Sequence, residues 1–500
     1  MTPVPWLSAV VLVPLAGALL AGVVSAKRAT VVGLCASLAT FATCGGLLWR
    51  LWSQGPQTEP VGGWSAPLGI ELYADGFSAL MLAMVALVAI FVSLFSAGYF
   101  RGGGSRRTDR HEGFFWSLWL VVWASLNGIF VSGDLFNLYV CMELMGLGSV
   151  ALIALAGPIA LRAAMRYLLV TISGSLLYLL GVALVYGGWG RLDLVILGDV
   201  MEATWASEVA LAMMTVGLVL KTALVPLHFW LPAAHANAPA PVSAVLSALV
   251  VKASFFILVR LWIDVFGVLD TERASMGLAT LGAIAIFWGS IQALRQQRLK
   301  MLVAYSTVAQ IGYLFVAFLP AATVAGAEVA WHGAAYFAIA HGCAKGAMFL
   351  SAGAIAARVG SDRFADLRAK GGKIAFPLFT FAVAGIGLMG LPPSGGYTAK
   401  WLLLTAAARA EQPLVAIVVT VGGLLAALYV FKVIYYAFAH RRVEPDEQPE
   451  ASAEIPHVMN WAAFLLALVS VGLGLWSAVP VALLDVGLPF GAPLGVGLKP

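Results

Sequence analysis

Two lysines occur inside stretches that are long and apolar enough to span a bilayer. Lys221 lies in LAMMTVGLVLKTALVPLHFWLP, and Lys400 lies in FAVAGIGLMGLPPSGGYTAKWLLLTAAA. A charge at membrane depth is costly unless it is paired, neutralised or hydrated. Each lysine also lies close to prolines, which free backbone groups that only protein or a water-filled cavity can satisfy. A buried lysine beside a broken helix, occurring twice, is typical of an ion or proton path.

Composition restricts this chain to the polytopic helical membrane proteins. Of its 500 residues, 61% are hydrophobic and only 11% are charged, whereas ordinary soluble domains carry about 25% charged residues. The net charge of +5 and the pI near 9.0 do not indicate nucleic-acid binding, because the basic residues cluster in short loops between apolar stretches. We therefore expect an all-α fold in a lipid bilayer.

Apolar stretches of roughly 20 residues, long enough to cross a bilayer, predict fourteen transmembrane helices. The seventh continues after a break around His228 to His235, and the twelfth resumes around Tyr397 to Arg409. We expect three N-terminal helices in 1–112, a core in 113–440, and a cytoplasmic loop with the final helix in 441–500. The predicted spans are 6–25, 30–50, 76–99, 113–132, 135–157, 164–187, 207–225, 240–265, 275–294, 301–320, 329–357, 374–391, 412–439 and 459–481.

The orientation of the helices follows from the distribution of lysine and arginine. Basic residues cluster after the first, third, fifth, ninth, eleventh and thirteenth spans, beginning with Lys27 and Arg28, whereas even-numbered loops carry isolated examples such as Arg191. Such residues stay on the cytoplasmic side, so both termini are predicted outside a bacterial-type inner membrane. The first apolar run has no basic residues before it, so we interpret it as a membrane helix and not a signal peptide.

Nothing in the sequence indicates a cofactor or a bound metal. The four cysteines lie in apolar spans without the spacing of iron–sulfur ligands: Cys35, Cys44, Cys141 and Cys343. The segment GIGLMG fits a dinucleotide-binding pattern in letters only, because it lies inside a span with no preceding strand. We expect no redox site in this chain, which leaves open whether it serves an enzyme assembled with other subunits.

One carboxylate and five lysines lie within predicted spans: Glu143, Lys221, Lys252, Lys345, Lys400 and Lys432. Burial disfavours the charged form of a lysine and a nearby carboxylate favours it, so a lysine under both influences can bind and release protons. Glu143 is the expected partner of Lys221, because a buried carboxylate also requires a cation. The alternatives are static ion pairs and, above all for Lys432, snorkelling of the side chain to the membrane surface.

Three histidines are candidates for proton relay. His341 lies four residues before Lys345, so the two side chains share a helix face, and imidazole titrates near neutral pH. His228 and His235 flank WLP after the break in the seventh span and are expected near the cytoplasmic mouth. A plain hydrogen-bonding role in a loop is the alternative for these two. His332 begins a span and has no indicated role.

Three charged residues near span ends are interpreted as structural. Arg260 lies toward the end of its span and is expected to anchor the helix at the membrane surface, and Asp75 is interpreted as an interfacial polar residue. Asp134, in SGDLFN, is predicted to cap the helix that follows it.

Four segments resemble the antiporter-like subunits shared by complex I, membrane-bound hydrogenases and Mrp-type Na+/H+ antiporters. They are KTALVPLHFWLPAAHANAPAPVSAVLSALVVKASFFILVRL, LKMLVAYSTVAQIGYLF, YFAIAHGCAKGAMFLSAGAI and GLPPSGGYTAKW, and the resemblance covers roughly residues 70–440. It implies fourteen helices around two inverted five-helix repeats, spans four to eight and nine to thirteen, with helices 7 and 12 broken. GGWSAPLGIELYADGFSALML and the total length are most similar to the D subunit of Mrp antiporters.

The resemblance also implies roles for particular residues. In this family a glutamate on the fifth helix pairs with a lysine on the seventh, and lysines on the eighth and twelfth complete a proton path. The matching positions are Glu143, Lys221, Lys252 and Lys400, and the eleventh-helix region is matched by His341 and Lys345. The resemblance further implies other membrane subunits as partners, and protons with Na+ as the transported ions.

The expected function is thus that of a proton-translocating, antiporter-like subunit of an Mrp-type complex. A pump subunit of an NADH:quinone oxidoreductase or a membrane-bound hydrogenase would carry the same residues, with electron transfer in its partners as the drive. A quinone enzyme within this chain lacks a cofactor ligand set, and a non-conducting scaffold would not retain so many buried charges.

Overall fold

The protein is a bundle of long helices with one small hairpin. The computed structural model describes residues 5–100, 106–368, 370–439 and 454–487, with side chains given from residue 112 onwards in the second range. Most of the predicted loop after residue 440 lies outside the described residues. The helices are α1 (Trp6–Val23), α2 (Ala26–Gln54), α3 (Gly76–Tyr99), α4 (Arg106–Phe130), α5 (Leu135–Ala154), α6 (Pro158–Trp189), α7 (Leu194–Val200), α8 (Trp205–Thr222), α9 (Leu231–Asn237), α10 (Ala240–Val245), α11 (Val251–Arg260), α12 (Glu272–Arg295), α13 (Leu299–Val316), α14 (Phe318–Ala321), α15 (Ala327–Val359), α16 (Phe364–Leu367), α17 (Ala375–Met389), α18 (Gly395–Arg409), α19 (Pro413–Phe438), α20 (His457–Leu475) and α21 (Ala478–Leu484).

Some shorter elements complete the chain. Strands β1 (Gln57–Pro60) and β2 (Glu71–Ala74) pair antiparallel, with Gln57 opposite Ala74. A 3-10 turn covers Val61–Gly63, and π-helical segments cover Leu246–Val250 and Leu261–Val265 on either side of α11. The sequence analysis did not predict the hairpin, whose two strands of four residues are too short to give a clear alternating pattern.

The predicted all-α, polytopic membrane fold is confirmed. Thirteen helical stretches in the described ranges are long and apolar enough to cross a membrane. They correspond to all the predicted spans except the twelfth. That span consists of α17 and α18, which have 15 residues each and are separately shorter than a bilayer crossing requires.

Both predicted helix breaks are present, and each lies at a proline. The helix α8 ends where Ala223 takes a left-handed conformation with φ of 61°, three residues before Pro226. The helix α17 ends at Gly390, with φ of 78°, before Pro392 and Pro393. Proline has no N–H to donate within a helix, so the chain restarts with new caps, as α18 does at Ser394.

Helix packing reveals two sets of five spans with the same order of contacts. In the first set α4 packs on α5, α5 on α6, α6 on α8, α8 on α11, and α11 returns to α4. In the second set α12 packs on α13, α13 on α15, α15 on α17 and α18, both of these on α19, and α19 returns to α12. Because each set contains an odd number of spans, the second enters the membrane from the opposite side. The packing therefore agrees with the implied inverted repeats.

Two stretches form the interior of the bundle. Ala240–Val265, which includes α10 and α11, and α15 are wholly buried by protein in their apolar windows, whereas α1, α2, α19 and α20 are about one-third buried there. Charged residues on the two central stretches are therefore shielded from lipid by other helices. This position puts Lys252 on α11 and Lys345 on α15 in the middle of the protein.

Candidate functional site

Glu143 on α5 and Lys221 on α8 form the predicted ion pair. Lys221 Nζ lies 3.3 Å from Glu143 Oε1, and the hydroxyl of Ser175 on α6 donates a hydrogen bond to the same oxygen. The lysine side chain is 4% exposed and the glutamate side chain 22%. A cation and a hydroxyl from two further helices thus stabilise one carboxylate.

A close approach of α6 and α8 makes this arrangement possible. A Cβ atom added at Gly174 would lie 2.8 Å from the carbonyl oxygen of Gly217 and 3.1 Å from Lys221 Cγ. Only glycine leaves enough space here, since real Cβ atoms do not approach a backbone oxygen so closely. The neighbouring Ser175 is consequently held within reach of the ion pair, which the sequence analysis did not foresee.

The rings of Trp230 and Tyr167 pack against each other at the break after α8. Trp230 donates from Nε1 to the carbonyl of Leu220 at 3.0 Å and packs on Tyr167, with ring centroids 4.6 Å apart. The indole is thereby a second donor to this carbonyl at the end of α8, beside the N–H of Ala223. A narrow cleft beside the rings is lined by Lys221 and by the buried Ser254 of α11.

Lys252 and His341 lie on the two wholly buried stretches in the centre of the bundle. Lys252 is completely buried and donates to the carbonyl of Ser247 in the π-helical segment before α11. His341, 2% exposed, stacks on Phe337 and makes no hydrogen bond through either ring nitrogen within the described chain. Its ring interacts electrostatically with Lys252, Lys345 and Lys400. The charges of three lysines from three different spans therefore act on one imidazole.

Lys345 and Lys400 extend this group of lysines into the second repeat. Lys345 is completely buried, and its Nζ donates to the carbonyl of Val303 at 2.8 Å and to the hydroxyl of Ser306. Lys400 donates to the carbonyls of Leu388 at 2.8 Å and Met389 at 3.1 Å. These two carbonyls end α17 and have lost their helical partners at the break, so Lys400 bridges the two halves of the broken span.

Tyr313 completes the surroundings of Lys400. The Nζ atom of Lys400 lies 4.6 Å from the centre of the Tyr313 ring, a cation–π contact that partly replaces the missing counter-charge. In the described residues no carboxylate pairs with Lys252, Lys345 or Lys400. Lys345 and Lys400 in the second repeat are thus held by carbonyls, a hydroxyl and an aromatic ring. In the first repeat Lys221 pairs with a carboxylate, whereas Lys252 donates to a carbonyl.

His235 and Lys300 are two further buried ionisable residues. His235 lies in α9, is fully buried, and packs edge-on against Phe349 without a hydrogen bond from either ring nitrogen to the described protein. It interacts electrostatically with Lys252, Lys300 and Lys345. Its place in a helix, without a hydrogen bond from the ring to the described protein, does not fit the alternative of a hydrogen-bonding loop histidine.

Sequence reasoning missed Lys300 as a candidate. It was assigned to the basic cluster of a loop, but it is 8% exposed at the start of α13 and donates to the carbonyl of Ala238, directly after α9. Its position in the first turn of an apolar span was the sequence feature that could have indicated a buried lysine. The neighbouring Arg298 pairs with Asp362. With Arg298 so near in sequence, Lys300 was interpreted as one of the basic loop residues that indicate the cytoplasmic side.

His228 and Lys432 lie apart from the central lysines. Nε2 of His228, in the break after α8, accepts a hydrogen bond from Trp288 Nε1 at 3.2 Å, the plain structural role that was its alternative. Lys432 on α19 is half-buried and donates to the carbonyls of Leu294 at 2.7 Å and Gln296 at 2.6 Å. Since these carbonyls lie at the end of α12, the ammonium of Lys432 caps that helix.

Arg260 and Asp75 form a buried ion pair, which the sequence did not predict. Their side chains are 3% and 0% exposed. The guanidinium makes two bonds to Asp75, at 2.5 and 2.7 Å, and a third to Asp264 at 3.0 Å. Whether the end of a span is buried depends on the elements that pack over it. Here the N–H of Gly76, next to Asp75, donates to the carbonyl of Val486 in the segment after α21. Asp134 does cap α5, by accepting from the N–H of Asn137 at 2.7 Å, as predicted.

Two models of known protein families match this chain. Residues 132–426 match the family model described as NADH:quinone oxidoreductase/Mrp antiporter, TM, and residues 61–109 match NADH-Ubiquinone oxidoreductase (complex I), chain 5 N-terminus. The first match covers more than half of the chain. This protein belongs to the NADH:quinone oxidoreductase/Mrp antiporter family.

Relatives within the NADH:quinone oxidoreductase/Mrp antiporter family carry both kinds of name. The N subunit of the NADH-quinone oxidoreductase from Desulforudis audaxviator is 34% identical over 465 residues, which cover 91% of this chain and 88% of that protein. The D subunit of the Na(+)/H(+) antiporter from Alkalihalophilus pseudofirmus is 30% identical over 405 residues, with 80% and 79% covered. These matches confirm the predicted family.

The fold is also found in a solved structure. A chain in the Mrp complex from Dietzia sp. DQ12-45-1b superposes with a TM-score of 0.86 over 99% of this chain and 98% of that one, at 24% identity. The two chains therefore share one helical fold over nearly their whole lengths.

Proposed function

We propose that this protein is the proton-translocating, antiporter-like subunit of a multi-subunit Mrp-type Na+/H+ antiporter. One observation carries the proposal: a glutamate paired with a buried lysine beside a broken helix, together with further buried lysines and a buried histidine inside the bundle. Such groups are expensive inside a membrane and are retained where ions or protons move. The relative that is named as the D subunit of a Na(+)/H(+) antiporter supports the choice of antiporter.

In the proposed mechanism a proton enters through a half-channel on one side and reaches the central lysines. When Lys221 is paired with Glu143, the positive charge near Lys252 is partly neutralised, which raises the affinity of Lys252 for a proton. When the pair opens, the charge of Lys221 is no longer offset and the proton moves on by way of His341 and Lys345 to Lys400. Release then follows through the second half-channel.

The proposed setting is a bacterial inner membrane with both termini outside and the odd-numbered loops in the cytoplasm. The basic clusters in those loops support this orientation. Large apolar side chains exposed on α2, such as Trp49 at 73%, are suited to lipid or to other membrane subunits of the complex. The three regions 1–112, 113–440 and 441–500 then serve as an N-terminal support, the translocating core and a final anchor.

A second candidate function is that of a proton pump subunit in an NADH:quinone oxidoreductase or a membrane-bound hydrogenase. The 34% identity to a protein named as the N subunit of an NADH-quinone oxidoreductase favours it. The same buried residues would serve there, but the drive would come from electron transfer in partner subunits. The two candidates therefore differ in partners and not in the site.

Purification of the tagged chain from its own membranes in mild detergent, followed by mass spectrometry, separates the two functions. We expect several small membrane subunits to co-purify without iron–sulfur or flavin proteins. Iron–sulfur or flavin subunits in stoichiometric amounts would instead establish the redox-driven pump and remove the sodium antiport proposal. Membranes from cells with an untagged chain provide the background control.

The proposed proton path does not include Lys432, and replacing Lys432 tests whether this is correct. We expect Lys432→Met to retain most of the transport activity, because its ammonium only caps α12. The lost hydrogen bonds should lower stability by about 1–2 kcal/mol, seen as a lower midpoint of thermal aggregation in detergent. A transport defect as severe as that of a Lys221 variant would place Lys432 in the path after all.

A further inference from the structure

A histidine and two carboxylates meet at the end of the bundle where α15 begins and α21 ends. Glu328 and His332 stand four residues apart on α15 and therefore share a helix face. Asp485 follows α21 directly and brings a third side chain from a separate part of the chain. None of the three takes part in the proposed proton path.

The three side chains are already close to the geometry of a metal centre. One ligand atom from each lies within 4.8 Å of the other two, and His332 Nε2 is 3.2 Å from an Asp485 carboxylate oxygen. In a tetrahedral zinc site with bonds of about 2.1 Å, neighbouring ligand atoms are about 3.4 Å apart. Small rotations of the exposed Glu328 and Asp485 side chains would suffice to close the site.

The donor set favours one class of metal. An imidazole nitrogen with two carboxylates suits Zn2+ and similar transition metals, whereas Ca2+ takes six to eight oxygen ligands. Two negative charges balance a divalent cation, and three protein ligands leave a fourth position for water. His332 is 6% exposed while Asp485 is 62% exposed, so the histidine forms the floor of the site and the carboxylates its rim.

We propose that Glu328, His332 and Asp485 bind a divalent transition metal ion of the Zn2+ class, which ties the segment after α21 to α15. That segment also covers the start of α3, where the N–H of Gly76 donates to the carbonyl of Val486 at 2.7 Å. A metal bound here fastens the C-terminal segment over the buried Asp75–Arg260 pair. The helix that provides two of the ligands also carries His341, nine residues further along and about 13 Å away.

The test is calorimetric titration of Zn2+ into the full-length chain, purified with a histidine-free affinity tag and stripped with chelator. We expect one Zn2+ per chain, removed by EDTA and not displaced by excess Ca2+. His332→Gln should weaken binding by about tenfold or more. His457→Gln is the matched control, because this exposed histidine at the start of α20 lies outside the cluster, and it should bind as wild type does.

Three outcomes would overturn the proposal: no saturable Zn2+ uptake by the wild-type chain, wild-type affinity in His332→Gln, or displacement by Ca2+. If His332→Gln does not fold, Glu328→Gln and Asp485→Asn decide instead, because both alter only exposed carboxylates. Each should weaken Zn2+ binding, and unchanged affinity in both would also overturn the site. Binding is measured without transport, so the result does not depend on the proposed function.

Discussion

Lys221→Ala should abolish cation-coupled proton transport while the protein still inserts into the membrane. The substitution removes the cation that lies 3.3 Å from Glu143. The ion pair, whose formation and opening drive the proposed cycle, can then no longer form. Because Glu143 is 22% exposed and still accepts from Ser175, we expect a loss of stability of only about 1–3 kcal/mol. Transport is measured as Na+-dependent dissipation of a pH gradient in everted vesicles containing the complete complex.

Lys373→Met is the control for the loss of a lysine, since this residue is exposed in the loop before α17. It should transport at the wild-type rate. Glu143→Gln should behave as Lys221→Ala does, because either change abolishes the ion pair. Wild-type rates in both Glu143→Gln and Lys221→Ala, at equal protein levels, would refute the proposed mechanism.

Arg260→Met should produce the largest loss of stability among the substitutions considered. It leaves the buried carboxylates of Asp75 and Asp264 without their cation, and Asp75 is 0% exposed. Breaking a buried ion pair by removing one partner is destabilising by about 3–5 kcal/mol. The guanidinium also packs over the Phe256 ring at 5.0 Å, so contact area is lost together with charge. We expect little folded protein, measured by fluorescence-detected size exclusion and by thermal midpoint.

Two further variants separate the loss of charge from the loss of geometry. Arg260→Lys keeps the cation but cannot bond both Asp75 oxygens in the fork geometry of arginine, so an intermediate midpoint is expected. Arg273→Met, at an exposed position near the start of α12, should leave the midpoint unchanged. A wild-type midpoint in Arg260→Met would show that the buried cluster does not stabilise the fold.

Local sequence was sufficient for the spans and for the helix breaks. An apolar run of bilayer length can satisfy its backbone groups only within a helix, so the spans follow from composition alone. Proline can then end a helix inside such a run, as at Pro226 and Pro392, although α1 continues through Pro14. The candidate lysines could be identified in the same way, because a charge inside an apolar run needs no structure to be noticed.

The partners of those lysines required the tertiary structure, with one exception. Glu143 could be matched to Lys221 because it is the carboxylate near the middle of a predicted span. The carbonyls that hold Lys400 and the hydroxyl that binds Lys345 could not be anticipated, since every span offers such groups. Ser175 reaches Glu143 only because two glycines let α6 and α8 approach, a property of helix packing and not of either helix.

The sequence by itself determined the all-α membrane fold, the places where helices break and the ionisable groups available for proton transfer. Only the tertiary structure decided which of those groups face one another and which span ends are covered. Hydropathy and proline act on each stretch of chain separately, but the burial of Asp75, Arg260 and Lys300 depends on elements distant in sequence. The energy of a charge depends on its neighbours in space, and for these residues the neighbours are supplied by the fold.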